Sequence, residues 1–463
     1  MSRNIKDELK LFNQLACELI EDEIKTPIPK YLSPNEVINE LDIKLKEEGL
    51  SDSDFVKSLQ KILLRTPKSA SKLFFNQLYG GRHAKAVLGD LLTVLLNNSM
   101  ATYKIAGPQV VVEKEVLSKI YDLVGYNQEK AGGTFPTGGS MCNFMSLIMA
   151  RDKKKPETID EGVDPVLIAY TSDNAHYSLS KNASFSGIGR QNVRYIESDD
   201  RGRIKILSLE KQIIRDLKNG LHPFYLNATA GTTVLCAFDN VLKLSEICKK
   251  YNIWLHLDGA FGGAVIFSEK YKNLVEGVNL TDSFCFNAHK TLGAPISTSV
   301  LVVKDKEDLY QSFHNQASYL YQTHDEEFNL GQKSFECGRR NNALKLWSIW
   351  KSIGRKGISN IINHEFKLAE IARKYINNNP DYTLYSFDNS LSVCFNYKDF
   401  DAEDLCAKLY KQSVLMVGFG KFKTNKFIRL VTINAQNSKE DLLQFFKILE
   451  KFALQNKDYI KRR

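Results

Sequence analysis

Four things are scarce in this sequence, and each scarcity removes a class of function. No apolar run is long enough to cross a bilayer, which takes about 20 consecutive apolar residues, so no membrane-spanning role is expected. The eight cysteines are scattered and never form Cys-x-x-Cys. That argues against a zinc ribbon, a thiol redox motif or a secreted disulfide scaffold, and no metal centre is expected. Prolines are few, 11 in 463 residues, and there is neither an internal repeat nor a low-complexity tract, so a repeat array or a linker-rich protein is not expected. Blocks of one charge are missing as well. The formal net charge is +9, but the basic residues are dispersed among 54 acids, and the terminal cluster is Lys461-Arg462-Arg463. Dispersed lysine reads as a solvated surface, so no nucleic-acid or membrane partner is expected, although a mild positive field would attract an anionic substrate. The start, Met1 to Lys10, is polar and lacks an apolar signal core, which points to a reduced cytoplasmic location.

What remains is material for a large core: 43% hydrophobic and 25% charged over 463 residues, enough for two or three domains. Residues 1–65 carry Lys, Glu, Leu and Ile at helical spacing, divided by Pro27, Pro29 and Pro34, and read as an N-terminal helical segment. Over residues 66–340 short β-branched runs alternate with amphipathic stretches. Strands are expected at Val166–Ser172, Phe224–Ala230, Ile253–Asp258, Ser283–Asn287 and Thr298–Val303, with helices such as Ser140–Arg151 and Val241–Tyr251 between them. The alternation implies an α/β domain built on a mostly parallel sheet covered on both faces. Phe313 to Gly331 is polar and aromatic without a clear period and reads as a long functional loop. Residues 341–463 read as a smaller α+β domain, with strands at Tyr382–Phe387, Leu391–Tyr397 and Phe427–Ile433 and helices at Ala402–Gln412 and Lys439–Leu454.

Open α/β sheets place their sites at the carboxyl ends of strands, and three such ends carry unusual residues. Asp258 closes one apolar strand, His289 and Lys290 follow the next, and Thr229 to Thr233 closes a third. A buried lysine and a buried aspartate on neighbouring strands are costly without a partner or a chemical role. On spacing alone a structural ion pair explains them equally well. The run Gly132 to Ser140, with Gly138 and Gly139, leads into a helical pattern. Glycines at a helix N-terminus expose backbone N–H groups to an anion, yet alone such a run is as often only a turn. Taken together the parts fit pyridoxal phosphate (PLP), which needs a lysine for its aldehyde, an ionised acid for its pyridine nitrogen and a phosphate cradle.

The sequence resembles the group II PLP-dependent decarboxylases of the glutamate, cysteine-sulfinate and aspartate branch. The likeness runs from about Leu73 to Asn434. It rests on Phe75-Asn76-Gln77-Leu78-Tyr79-Gly80, Thr102-Tyr103-Lys104-Ile105-Ala106, the glycine run, Asp173 to Ser178, Asn227 to Thr233, the Asp258 run, Asn287 to Lys290 and Cys337-Gly338-Arg339. The resemblance implies a fold type I PLP-dependent transferase and a homodimer with its active sites at the interface. It implies that Lys290 holds the cofactor as a Schiff base, Asp258 pairs with the pyridine nitrogen, Ala260 packs under the ring and His176 stacks above it. Gly138, Gly139, Ser140 and His289 are implied to hold the phosphate, with Thr229 near the cofactor. Arg429 matches the arginine that binds the substrate α-carboxylate. Tyr319, in the Phe313–Gly331 loop, matches a tyrosine that reaches from the partner subunit to protonate Cα. Replacing Asp258 by Ala is then expected to abolish turnover, not merely slow it.

Gln77 and the neighbourhood of Tyr103 resemble the region that reads the substrate's distal acidic group. Tyr79 stands where glutamate-specific relatives have a small residue, and a bulkier wall favours a shorter side chain by about 1–3 kcal/mol. The expectation is therefore L-aspartate decarboxylation to β-alanine, with glutamate and cysteine sulfinate as alternatives. Lys104 and Gly107 depart from the pattern, which has Glu and Pro there, and Lys104 reads more readily as facing solvent than as a substrate contact. A fold type I aminotransferase would share the lysine, the aspartate and the phosphate cradle, but the pattern around His176 and Lys290 disfavours it.

Overall fold

The computed structural model describes residues 4–163, 166–315, 317, 319–321 and 326–463. Of the expected loop between Phe313 and Gly331, Gln316, Ser318 and residues 322–325 lie outside the described residues. The chain forms two compact units. One takes Arg82–Glu370 with Ser386–Ser392, and the other takes Met1–Gly81, Ile371–Tyr385 and Val393–Arg463. The N-terminal helices thus share a unit with the C-terminal part, whereas the sequence alone divides the chain at 65 and 340.

The larger unit is built on seven strands: β1 (Gly132–Thr134), β2 (Leu167–Ser172), β3 (Val193–Ile196), β4 (His222–Thr229), β5 (Trp254–Gly259), β6 (Ser283–Asn287) and β7 (Ser299–Val303). Their order is β1-β7-β6-β5-β4-β2-β3. The pairs from β6 to β3 are parallel, and β7 pairs antiparallel with both β6 and the edge strand β1. Every residue of β2, β5, β6 and β7 is buried. A strand loses both faces only when the sheet is covered on both sides, which explains runs such as Ser-Val-Leu-Val-Val instead of alternation. The helix Gly139–Lys154 packs across β4 to β7. It contributes Cys142, Met145 and Met149 to a core shared with Leu167, Phe224 and Leu301, and each such side chain stabilises by about 1.5–3 kcal/mol. The helix Val241–Tyr251 covers β5 and β4.

The smaller unit holds β8 (Tyr382–Leu384), β9 (Ser392–Tyr397), β10 (Gly418–Phe422) and β11 (Asn425–Val431), in the order β10-β11-β9-β8. Helices Ala402–Lys411 and Lys439–Gln455 belong to it, and the latter packs Phe445 edge-on against Phe75, with ring centroids 5.0 Å apart. The N-terminal residues form helices Ile5–Lys25, Pro34–Glu40 and Asp52–Arg65. The first is tied down by the buried Lys68, whose ammonium meets Asp22 and donates to Thr26 O at 3.0 Å. The long helix Ala343–Asn377 is kinked at Gly354, where φ is 66°, a conformation that costs a glycine little.

Strands β1, β3 and β10 are not expected from the sequence. The Gly-Gly-Thr of β1 reads as part of a turn, β3 is a four-residue edge strand, and Gly418 and Gly420 obscure β10. The antiparallel direction of β7 also goes beyond what periodicity reveals.

Candidate active site

Parallel pairing brings the carboxyl ends of β4, β5 and β6 side by side. The register sets Thr229 beside Asp258, and Asp258 beside Cys285. Strand β6 continues to Asn287 and runs into the short turn Ala288–Thr291, which carries His289 and Lys290. The helix Gly139–Lys154 begins here too, with Gly138 at its N-cap. A cavity of about 230 Å³ lies between these ends. Its wall includes Gly139, Ser140, His176, Thr229, Asp258, Ala260, His289 and Lys290. Asp258, His289, Lys290 and, from the third strand end, Thr229, Gly231 and Thr233 are therefore present in one wall.

Asp258 is buried, and both its oxygens are engaged. Oδ2 accepts from Asn143 Nδ2 at 2.7 Å and Oδ1 from the Ala260 N–H at 3.0 Å. Burial lowers the pKa of Lys290 below that of an ordinary lysine, opposed by the Asp258 charge, so the free amine is enriched at neutral pH. Burial likewise lowers that of His176, whose Nδ1 accepts the Ser178 N–H at 3.2 Å. His289 is pushed down to about 4, first by burial and then by the Lys290 charge. Its Nδ1 lies 3.0 Å from the Thr298 N–H and 3.2 Å from Thr298 O, so the Thr298 backbone holds the ring from that side.

The depressed pKa of His289 has a thermodynamic consequence. The unfolded chain binds a proton near pH 6.5 and the folded one only near 4. Between those values the unfolded state holds more protons, so stability falls as pH falls, by about 3 kcal/mol across the window. Cofactor-free protein is expected to lose more stability from pH 7 to pH 4 than its His289→Asn variant, as read from urea midpoints. Equal losses would contradict the burial argument.

The wall fits a compact polar ligand. A Cβ on Gly139 would stand 2.9 Å from Ala260 Cβ and 3.0 Å from Asn287 Nδ2, so only glycine lets the helix approach this closely. The first helical hydrogen bonds run from Met141 and Cys142 to Gly138 O, each 3.0 Å long, which leaves the Gly139 and Ser140 N–H groups ahead of the helix as anion donors. Thr229 Oγ1 and Asn287 Oδ1 are buried in this wall with no hydrogen-bond partner among the described residues. Each such atom costs about 1–3 kcal/mol unless a ligand satisfies it. A phosphate cradle, a buried carboxylate and an amine of lowered pKa are what PLP requires.

Residues 34–398 match the family model described as the pyridoxal-dependent decarboxylase conserved domain. The chain belongs to that family. It is a PLP-dependent amino-acid decarboxylase of fold type I. The decarboxylase is 33% identical over 462 residues to the acidic amino acid decarboxylase GADL1 of Mus musculus, covering 93% of this chain and 84% of that one. It is also 33% identical over 437 residues to the cysteine sulfinic acid decarboxylase of Mus musculus, covering 89% and 88%. The crystal structure of mouse CSAD superposes with a TM-score of 0.92 at 30% identity, covering 97% of this chain and 99% of that chain.

The remaining expected site residues of the decarboxylase lie elsewhere. Gln77 and Arg429 line a second cavity, of about 270 Å³, inside the smaller unit. There Arg429 Nη2 donates to Asn76 O at 2.9 Å. Tyr79 is part-exposed against Phe74, with ring centroids 6.2 Å apart, and is in neither wall. Tyr103 is also part-exposed, its ring edge-on to Phe328 at 5.8 Å. Tyr319 is 79% exposed and outside the Lys290 wall. Lys104 is exposed, in line with its solvent-facing reading. Asn143 and Asn287 were not singled out in the sequence, although Asn143 sits one helical turn after the glycines, where a side chain can face what they face. No described helix is long and apolar enough to cross a membrane.

Proposed function

We propose that the decarboxylase acts on a small acidic L-amino acid, cysteine sulfinate ahead of aspartate and glutamate. What carries this reading is the placement of Arg429 and Gln77 in one cavity of about 270 Å³, a cation and an amide able to meet two acidic groups. The name of one mouse relative supports cysteine sulfinate, and that of the other supports an acidic amino acid. The sequence argument for aspartate leaned on Tyr79 as a pocket wall, and Tyr79 is outside both described walls. Purified protein with PLP, offered cysteine sulfinate, aspartate, glutamate and an aromatic amino acid in turn, is expected to release CO2 and amine fastest from cysteine sulfinate. An aromatic preference would refute the acidic reading, and an aspartate preference would restore β-alanine as the product.

Bound at Lys290, PLP supplies a ring that takes up the electron pair left by departing CO2. In this reading Lys290 would provide the amine for the cofactor's aldehyde and Asp258 the carboxylate for its pyridine nitrogen. Ala260 and His176 would hold the ring, with Thr229 near it. Gly138, Gly139, Ser140 and His289 would hold the phosphate. Arg429 takes the α-carboxylate in a fixed orientation, which bidentate guanidinium contacts impose better than a lysine would.

The proton for Cα then comes from Tyr319 of a second copy. Its 79% exposure suits a group that works in another chain's site. An apolar stripe on the helix Ala84–Leu96, with Leu88, Leu92 and Leu95 about half exposed, supports association of two copies. Tyr319→Phe is expected to slow decarboxylation about 10²-fold or more and to raise the share of turnovers that end in aminated cofactor. Unchanged partitioning would remove Tyr319 from the reaction.

A further inference from the structure

From Asn143, which lines the cavity beside Asp258, a line of buried polar groups that the reaction above does not use runs to His256, Ser283 and Trp254, which are outside the wall. Asn143 Nδ2 donates to Asp258 Oδ2 at 2.7 Å and to Ser178 Oγ at 3.0 Å. The same amide turns its Oδ1 to His256 Nε2, 3.0 Å away. His256 Nδ1 meets Ser283 Oγ at 2.8 Å, and Ser283 Oγ receives the Trp254 indole N–H at 2.9 Å. His256, Ser283 and Asn143 are all at most 2% exposed.

The chemistry of the two ends orders the whole line. A carboxylate only accepts and an indole N–H only donates. Because Asn143 gives its N–H groups to Asp258 and Ser178, its carbonyl faces His256, and a carbonyl accepts. His256 Nε2 must therefore carry a proton. The ring touches no carboxylate, and a buried cation without a counter-charge costs several kcal/mol, so the ring is neutral and Nδ1 is bare. Ser283, whose Oγ also lies 2.9 Å from Ser146 Oγ, then gives its hydroxyl proton to Nδ1, the acceptor otherwise left unmet, while accepting from Trp254. Each bond polarises the next toward Asp258.

We propose that His256 is a positioning residue for Asp258. Fixed as the Nε2–H tautomer by Ser283, it locks the Asn143 amide with its N–H₂ toward the carboxylate and so keeps Asp258 a charged, correctly turned acceptor for the pyridine nitrogen. The proposal rests on the reading of Asp258 as that nitrogen's partner. Outer-shell groups of this kind typically carry about 10- to 100-fold in activity.

The test uses the PLP-loaded enzyme. Histidine labelled with heavy nitrogen in the wild type is expected to show His256 protonated at Nε2 and bare at Nδ1, and an Nδ1–H tautomer or an imidazolium there overturns the proposal without any variant. His256→Phe, which removes the donor, is expected to lower kcat about 10- to 100-fold with KM little changed. The NMR shift of a labelled pyridine nitrogen is expected to move toward its unprotonated value. His256→Gln, whose amide N–H can take the place of Nε2–H, is expected to restore both. Should His256→Phe fail to fold, the wild-type tautomer and the Gln variant still decide. A nitrogen that loses its proton in Asp258→Asn but keeps it in His256→Phe sinks the role of His256 alone. A nitrogen unchanged in Asp258→Asn sinks the reading of Asp258 first.

Discussion

Lys290→Ala is expected to fold, to take up PLP from solution and to lose it on gel filtration, with turnover reduced by roughly 10⁴-fold or more. The fold does not depend on this ammonium. Burial already lowers its pKa, so the charged form is held at a cost, and without it Asp258 still has its two N–H donors, so the cofactor-free variant is expected to stay folded. Stability given up for a reactive group is the usual trade at such sites. The phosphate cradle and Asp258 remain in the variant, which is why non-covalent uptake survives. Lys290→Arg keeps a cation but no amine that can lose its proton near neutrality, and it is expected to fail as completely. In the wild type, PLP capture by cofactor-free protein is expected to quicken as pH rises and to level off below the pH at which an ordinary lysine would, because the free amine is reached sooner. Borohydride treatment of the loaded enzyme followed by peptide mapping provides the check. A label on any residue but Lys290 would end this account of the site.

How much of this was legible beforehand depends on what each residue costs where it stands. Asp258 and Lys290 were readable without a structure because a charge at the end of an apolar strand is expensive and needs a reason. Gly139 was readable only together with them, because a glycine run opening a helix is by itself as often a plain turn. Arg429 was not readable that way. On a part-exposed strand an arginine looks like any surface arginine, and only the likeness to known decarboxylases singled it out. His256 and Asn143 escaped for a different reason. A histidine inside a strand and an asparagine inside a helix carry no periodic signature, and their meaning lies in the contacts between them, which span 113 residues of chain. The short strands β1, β3 and β10 were hidden by glycine and by length, since three to five residues give a period of two little room to show. Tyr79 shows the opposite failure. Its bulk was legible, but its place beside Phe74 and outside both described walls was not.

Asp258 is where the second large loss is expected, and the geometry says that no neutral replacement will serve. Its two oxygens each accept from a fixed N–H, one from Asn143 and one from the Ala260 backbone. An alanine leaves both donors buried without an acceptor and removes the negative charge that faces Lys290. Breaking a buried charge pair from one side costs about 3–5 kcal/mol, which corresponds to roughly 10²–10⁴-fold if it falls on the transition state. Asparagine keeps the shape yet fares little better. Whichever way its amide turns, its N–H₂ must face one of the two N–H donors, and that donor loses its partner inside a buried wall. Asp258→Glu retains the charge but pushes it one methylene further into a cavity already tight around Ala260. Turnover is therefore expected to fall by about 10²–10⁴-fold for Ala and Asn, with Glu intermediate, and the pyridine nitrogen of bound PLP is expected to lose its proton in Ala and Asn only. The decisive comparison is between Asp258→Asn and Asn143→Leu. If the carboxylate itself matters, Asn143→Leu retains a protonated pyridine nitrogen in part and some turnover, whereas Asp258→Asn retains neither. An Asp258→Asn enzyme with near-wild-type kcat would mean that the charge opposite Lys290 is structural, the ion pair that spacing alone could never distinguish from a catalytic one.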